Sequence, residues 1–220
     1  MNRPTNLSIM YKSIGLLLLT ILLQACMSQA IQSPDTLVGG PCEDCEAAID
    51  FQLLSQKLQS VDTLPGYTET TPKLKISGTV YKADGKTPAP NIILYLYHTN
   101  REGIYEPSEK PMGWEKRHGK HRGWLQTDAE GKYTFYTFRP APYPNMQEPE
   151  HIHIYVKEPD LMPYYIDNYV FLGDSLLKEE DIQAQKERGS SGLVTLTEQS
   201  GIWVGKRDIV LGLNIPNYKE

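Results

Sequence analysis

The sequence predicts an all-β protein, an antiparallel β-sandwich with long loops and a few short helices. Short runs of alternating apolar and polar residues recur along most of the chain, and turn sequences separate them. The run KLKISGTVY at residues 73–81 is followed, after the turn sequence ADGK, by the run NIILYLY at residues 91–97. Because side chains alternate between the two faces of a strand, such runs are typical of sheets with one buried face.

The same pattern returns in the second half of the chain. The stretch GWLQTDAEGKYTFYTFRP at residues 123–140 contains two strand-like runs separated by a turn at Ala129–Gly131. Two segments have helical spacing or composition instead. Further strands are predicted in residues 151–156, 164–172 and 192–215, and short helices in residues 46–58 and 175–189.

The N-terminal segment is typical of an export signal. Arg3 and Lys12 precede the apolar run IGLLLLTILLQA, which is short for a membrane span. The run ends in LLQAC, which resembles a bacterial lipobox and implies cleavage before Cys26 and attachment of lipid to its sulfur. An ordinary signal anchor is the alternative, and both interpretations predict an exported protein that is attached to a membrane.

These features divide the chain into three segments. Residues 1–25 are interpreted as a lipoprotein signal peptide, 26–72 as a tether and N-terminal approach segment, and 73–220 as the β-sandwich domain. The mature chain has 195 residues (220 − 25) and a formal charge of −7 (20 − 27), since the signal carries two basic residues and no acidic residue. This acidic balance, with no basic tract, argues against a nucleic-acid partner.

Cys42 and Cys45, in GGPCEDCE, remain in the mature chain. Their spacing is found in redox pairs and in half of a zinc knuckle, but no second pair of this kind and no nearby histidine completes a zinc site. Export favours oxidation, so we expect a disulfide between them that stiffens the entry to the domain.

The polar segment at residues 101–122 predicts a long loop, which is either a functional loop or a tolerated insertion. His118 and His121 lie in its basic part, and we expect both to be solvated, with an entrance for an acidic substrate as the alternative. His98 is expected to make a hydrogen bond at a strand end. Trp114 and Trp124 are candidates for an aromatic wall.

His151 and His153, in PEHIHIYV, are the first candidates for chemistry. Residues i and i+2 of a strand share a face, so both imidazoles point the same way if this segment is a strand. A half-exposed strand with Ile152 and Ile154 turned to the core explains the pattern without any ligand. Because neutral imidazole is the commonest metal ligand, a metal site is the alternative.

Tyr105 and Tyr143 add two oxygen donors that complete an N₂O₂ set with the histidines. A phenol loses its proton near pH 10 in water, but a trivalent cation at bonding distance favours the phenolate strongly. Two phenolates leave Fe³⁺ with a net charge of +1, which one hydroxide neutralises. The set therefore suits ferric iron better than zinc, magnesium or calcium.

In this order the motifs resemble the intradiol ring-cleavage dioxygenase family, which includes catechol and protocatechuate dioxygenases. ISGTVYKADGKTPAPNIILYLYHTNREGIY and GWLQTDAEGKYTFYTFRPAPYP are similar to the segments that carry the two iron tyrosines, and HIHIYV matches the histidine pair. DNYVFLGD and GKRDIVLG resemble the closing segments. The resemblance spans residues 74–212 and implies a prealbumin-like sandwich.

The resemblance implies a non-haem Fe(III) cofactor held by Tyr105, Tyr143, His151 and His153. It also implies that a catechol reacts with O₂ to give a muconate-type diacid, and that Tyr143 leaves the metal and takes a substrate proton. Family members carry an arginine three residues before the first histidine, where this chain has Glu148. Arg139 and Arg122 are the candidates to supply that charge.

Two other functions remain open at this point. The sandwich can serve as an exported binding module without iron, because a fold does not fix a function. A degenerate relative can instead bind iron or a catechol without cleaving the ring. The sequence is compatible with a homo-oligomer and does not identify the catechol.

Overall fold

The computed structural model describes residues 37–53, 57–145 and 147–219, so Cys26 and the predicted signal segment lie outside the described residues. Nowhere in this described part is there a helix long and apolar enough to cross a membrane. The strands are β1 (Val61–Thr63), β2 (Lys73–Tyr81), β3 (Ile93–Tyr97), β4 (Arg122–Gln126), β5 (Lys132–Phe138), β6 (His151–Lys157), β7 (Tyr164–Tyr165), β8 (Tyr169–Phe171), β9 (Leu193–Val194), β10 (Thr197–Gln199), β11 (Ile202–Lys206) and β12 (Ile209–Val210). The helices are a 3₁₀ helix at Cys45–Leu53, α1 (Glu115–His118) and α2 (Glu179–Gln183).

The strands form two sheets, which confirms the predicted all-β sandwich. The first sheet has the order β1-β5-β2-β11-β10, with β12 also paired to β2. The second has the order β4-β3-β6-β8-β9, with β7 also paired to β6. The central pairs are antiparallel, but β1 with β5, β11 with β2, β12 with β2, and β8 with β9 are parallel. Alternation along one strand does not specify the direction of its neighbour, so these parallel pairs were not predicted.

The main core lies between the sheets and follows the alternation in the sequence. Leu74 and Ile76 of β2 point inward, as do Leu94 and Leu96 of β3, and all four are fully buried. Ile152 and Ile154 of β6 join the same core. The burial of these isoleucines therefore fixes the register of β6, whose other face carries the two histidines.

The outer face of the second sheet carries a second buried layer, made of aromatic side chains. Its members are Tyr95, Tyr97, Trp124 and Tyr155. The 3₁₀ helix covers this layer, since Ala47 and Ala48 are fully buried and the Trp124 indole donates a hydrogen bond to the Ala47 carbonyl at 3.1 Å. The 3₁₀-helical part of the predicted approach segment therefore packs on the domain.

Cys42 and Cys45 are joined by a disulfide at the start of the 3₁₀ helix, with Cα atoms 5.7 Å apart. Cys45 is buried in the aromatic layer. The first predicted helix, at residues 46–58, is in fact this 3₁₀ helix. The second, predicted at 175–189, is shorter than expected, because α2 covers only Glu179–Gln183, buries none of its side chains, and is followed by a positive φ of 52° at Glu187.

Candidate metal centre

The structure brings the four predicted ligands together. Tyr105 lies in the loop after β3, Tyr143 in the loop after β5, and His151 and His153 in β6. The Tyr105 Oη lies 2.6 Å from the Tyr143 Oη and 2.8 Å from the His153 Nε2. The Tyr143 Oη lies 3.3 Å from the His153 Nε2 and 3.2 Å from the His151 Nε2, and the two imidazole Nε2 atoms are 3.1 Å apart.

These separations suit a shared cation. Ligand atoms bonded about 2 Å from one metal ion lie roughly 3 Å from one another. The described residues contain no group of three or more His, Cys, Asp or Glu side chains that could hold a metal ion, so the phenols are essential to any such site here. Two phenols and two imidazoles suit Fe(III), because phenolate oxygens neutralise a trivalent charge.

Proton counting supports the same conclusion. The His151 Nδ1 lies 2.8 Å from the Pro149 carbonyl, which can only accept, so this nitrogen carries the proton and the Nε2 is a lone-pair acceptor. With the His151 Nε2 unprotonated, the five close contacts have at most the two phenolic protons and one proton of His153 to share. A cation between the donors satisfies the contacts that lack a proton.

Burial keeps the free donors neutral. It is the main cause that raises the pKa of Tyr105 and of Tyr143, and in Tyr105 the hydrogen bond with Tyr143 adds to the effect. Burial also lowers the pKa of His153 far below its usual value. The second cause is a positive charge on the neighbouring His151, which lowers this pKa further. Binding Fe(III) as a bis-phenolate would release two protons, because the free phenols hold theirs at neutral pH.

Gly103 lies at the point where the loops of Tyr105 and Tyr143 come into contact. Its φ is +76°, and a Cβ built there would lie 2.2 Å from the Pro142 carbonyl oxygen. The loop of Tyr105 therefore approaches the residue before Tyr143 to a distance that only glycine permits. The Asn100 side chain further holds the loop by accepting from the Ile104 amide at 3.0 Å.

The aromatic layer lies directly behind the histidines, and the sequence did not reveal its role. Tyr97 stacks on His153, with ring centroids 4.4 Å apart, and on His118 with centroids 3.9 Å apart. The His118 Nδ1 is 2.9 Å from the Tyr95 Oη. The alternation of tyrosine with leucine in ILYLY could have indicated this layer, since it gives β3 large, mostly apolar side chains on both faces.

The expectation that His118 and His121 are solvated is wrong. They are 2% and 4% exposed, because the loop of residues 101–122 folds back over the sheet. The His121 Nδ1 donates to the Pro65 carbonyl at 2.8 Å. His98 makes the expected strand-end bonds, to the Thr99 carbonyl at 2.8 Å and to the Thr137 hydroxyl at 2.6 Å.

Arg122 and Arg139 are engaged in ion pairs. Arg122 pairs with Asp50 of the 3₁₀ helix at 2.8 Å, and Arg139 pairs with Glu150. Among the hydrogen bonds of the described residues, neither guanidinium contacts any of the four donor atoms. Their catalytic role stays a prediction. Arg139 is the nearer candidate along the chain, because its partner Glu150 immediately precedes His151.

The sandwich and the two-tyrosine, two-histidine cluster define a class of protein, and comparison with known families agrees. A family model described as Dioxygenase matches residues 47–202, most of the chain. The chain belongs to the intradiol ring-cleavage dioxygenase family.

Two curated relatives from Acinetobacter lwoffii are similar in sequence. Catechol 1,2-dioxygenase 2 is 28% identical over 171 residues, which cover 65% of this chain and 54% of the relative. Catechol 1,2-dioxygenase 1 is 27% identical over 163 residues, which cover 67% of this chain and 48% of the relative. The chain thus spans about half the length of the curated relatives it matches.

Solved structures show the same fold. Catechol 1,2-dioxygenase from Acinetobacter sp. ADP1, inhibited by bound mercury, has a TM-score of 0.52 and 18% identity, covering 100% of this chain and 91% of that one. The dioxygenase domain of a dioxygenase carbohydrate-binding protein fusion from Streptomyces sp. SirexAA-E has a TM-score of 0.51 and 21% identity, covering 71% and 91%. At these identities the likeness establishes the architecture alone.

Proposed function

We propose that this protein is a non-haem Fe(III)-dependent intradiol dioxygenase that cleaves a catecholic aromatic with O₂ to a muconate-type diacid. The observation that carries the proposal is the convergence of the Tyr105, Tyr143, His151 and His153 donor atoms, with the measured separations between 2.6 and 3.3 Å. Family membership supports the reaction class. These four side chains would hold the iron, which acts when bound as a Lewis acid toward the substrate.

The chain's own residues then have separable roles. Tyr143 would, as a phenolate, accept a proton from the catechol at its Oη, which is the role that the family resemblance implies. The Pro149 carbonyl fixes the His151 tautomer with Nε2 toward the centre.

Iron analysis with a visible spectrum, before and after addition of catechols, tests this function. We expect one iron per chain and a tyrosinate-to-iron absorption band that changes when a catechol binds. Oxygen uptake with formation of the diacid then distinguishes an enzyme from a binder. Protein that stays colourless and metal-free after treatment with ferrous iron and air would contradict the assignment of the site.

A second candidate is a degenerate protein that binds iron and a catechol without cleaving the ring. It is favoured by Glu148, an acid at the position where the family resemblance calls for an arginine. The two functions differ in one measurement. A spectral shift on catechol addition without oxygen uptake would identify the binder.

We also propose that the protein is an exported lipoprotein anchored through Cys26. The sequence LLQAC after a short apolar run supports this proposal. Cys26→Ala should leave the precursor unprocessed and without label from radioactive palmitate. Normal labelling of this variant would contradict the anchor.

A further inference from the structure

A cavity of about 230 Å³ borders His151 at the edge of the candidate metal centre. Val170 and Leu177 supply apolar surface, and Glu148 and Asp181 line it with carboxylates. Polar and apolar groups share this lining, so the cavity suits a polar substituent better than a bare aromatic ring. On the proposed function, a substituent of the catechol ring would lie here.

The charged side chains that line this cavity are all acidic. Glu148 and Asp181 are its charged side chains, and among the described residues that line it there is no lysine or arginine.

Glu148 also lies close to the metal ligands along the chain, three residues before His151. Asp181 holds its position because one of its oxygens accepts from the Lys178 amide at 3.0 Å, at the start of α2.

The positive groups nearby are largely neutralised or lie elsewhere. Arg139 is paired with Glu150, and Lys178 pairs with Glu180 at 3.4 Å. Lys186 lines a neighbouring cavity of about 270 Å³. The cavity beside His151 therefore presents a net negative wall to a substituent on a bound ring.

We propose that this cavity selects catechols whose side chain carries an ammonium group and disfavours catechols that carry a carboxylate. The inference rests on the proposed function, because it assigns the substrate class of that site. An ammonium group has three donors and no acceptor, which suits the two carboxylates of this cavity. Hydrogen bonds between charged partners are stronger than neutral ones, and a carboxylate substituent would meet repulsion instead.

The test uses three catechols of similar side-chain length: 4-(2-aminoethyl)catechol, 4-propylcatechol and 3-(3,4-dihydroxyphenyl)propanoate. Their kcat/KM values are measured with the iron-loaded full chain by oxygen uptake, and their Kd values by calorimetry without oxygen. We expect the ammonium compound to exceed the neutral one, and the neutral one the carboxylate, by about tenfold at each step, or about 1.4 kcal/mol. Added salt should narrow both ratios, because it screens the carboxylates.

Variants identify the groups responsible. Glu148→Gln and Asp181→Asn remove one charge each and keep an acceptor, so each should reduce the ammonium-to-neutral ratio about threefold or more. Glu179→Gln, which removes an exposed carboxylate of α2 that does not line the cavity, is the matched control and should leave the ratio unchanged.

The outcomes separate this inference from the proposed function. If the neutral catechol is cleaved but the ammonium compound is not preferred, the inference fails and the function stands. If none of the three is cleaved, the proposed function fails, and the Kd values alone decide the selectivity of the cavity. Equal Kd values for the three compounds would then overturn the inference as well.

Discussion

Tyr97 and His153 are direct partners across β3 and β6, and their rings stack with centroids 4.4 Å apart and an interplanar angle of 13°. His118 stacks on Tyr97 at an angle of 5°. The orientation of His153 is thus set by the packing of a three-ring stack. Side chains that orient a metal ligand commonly change metal affinity by about 10–100-fold when they are removed.

Removing the Tyr97 ring tests this support. Tyr97→Leu should lower iron affinity about tenfold, because His153 loses its stacking surface. Tyr97→Phe keeps the ring and loses only the contact of 3.0 Å between its Oη and that of Tyr155, so its iron affinity should stay close to wild type. Competition with a chelator measures both. Equal losses in the two variants would show that the hydroxyl, and not the ring, supports the site.

The two phenols should differ in their effects. Tyr105→Phe should weaken iron binding and bleach much of the visible colour, since its Oη is within 2.8 Å of two other donors. Tyr143→Phe should retain more iron but slow the binding of a catechol, because a proton acceptor is lost. Metal content and stopped-flow absorbance measure the two effects. Tyr136→Phe, a tyrosine of β5, is the control, and a similar loss of colour there would contradict the assignment.

The tight approach at Gly103 should be essential for the site. Gly103→Ala places a methyl group against the Pro142 carbonyl and should displace both tyrosine loops, with loss of most bound iron. Gly85→Ala is the matched control, since Gly85 also has a positive φ, of +66°, but has nothing within 4 Å of the added Cβ. It should cost about 1–2 kcal/mol of stability through the backbone alone and leave iron binding intact. Equal iron content in the two variants would contradict this explanation.

His98 should make stability depend on pH. Burial is the main cause that lowers its pKa, to about 3, from an ordinary value of 6.5. The unfolded chain therefore binds a proton that the folded chain rejects. Stability is complete above pH 6.5 and falls, by up to about 1.4 kcal/mol per pH unit, as the pH drops from there toward 3. Urea midpoints between pH 7 and pH 4 measure how steeply the free energy of unfolding depends on pH. In His98→Gln this dependence should correspond to the uptake of about one proton fewer on unfolding. An unchanged slope would show that His98 does not contribute.

Sequence reasoning succeeded where local pattern and geometry coincide. The alternation in HIHIYV predicts which side chains share a face, and the structure places His151 and His153 together at the donor cluster. It failed where burial depends on a distant segment. Nothing in EKRHGKHRGW indicates that His118 and His121 become buried, because the residues they contact, such as Tyr97 and Pro65, belong to other parts of the sequence.

The parallel pairs and the cavity share that limitation. The pairing of β2 with β11 joins residues more than a hundred positions apart, and the strand propensity of each segment says nothing about it. The acidic wall beside His151 is likewise assembled from two separate segments, one before β6 and one in α2. Tertiary packing decides such features.

On β6, isoleucines and histidines occupy opposite phases of one two-residue repeat. An insertion of one residue just before Ile152 would shift that phase, turning Ile152 and Ile154 toward the phenols and an imidazole into the apolar core. An insertion of two residues would restore the phase. It would still move His151 about 7 Å farther along the strand from His153. The hydrophobic core therefore tolerates changes of length here only in even steps, whereas the donor cluster requires the present spacing of the two histidines.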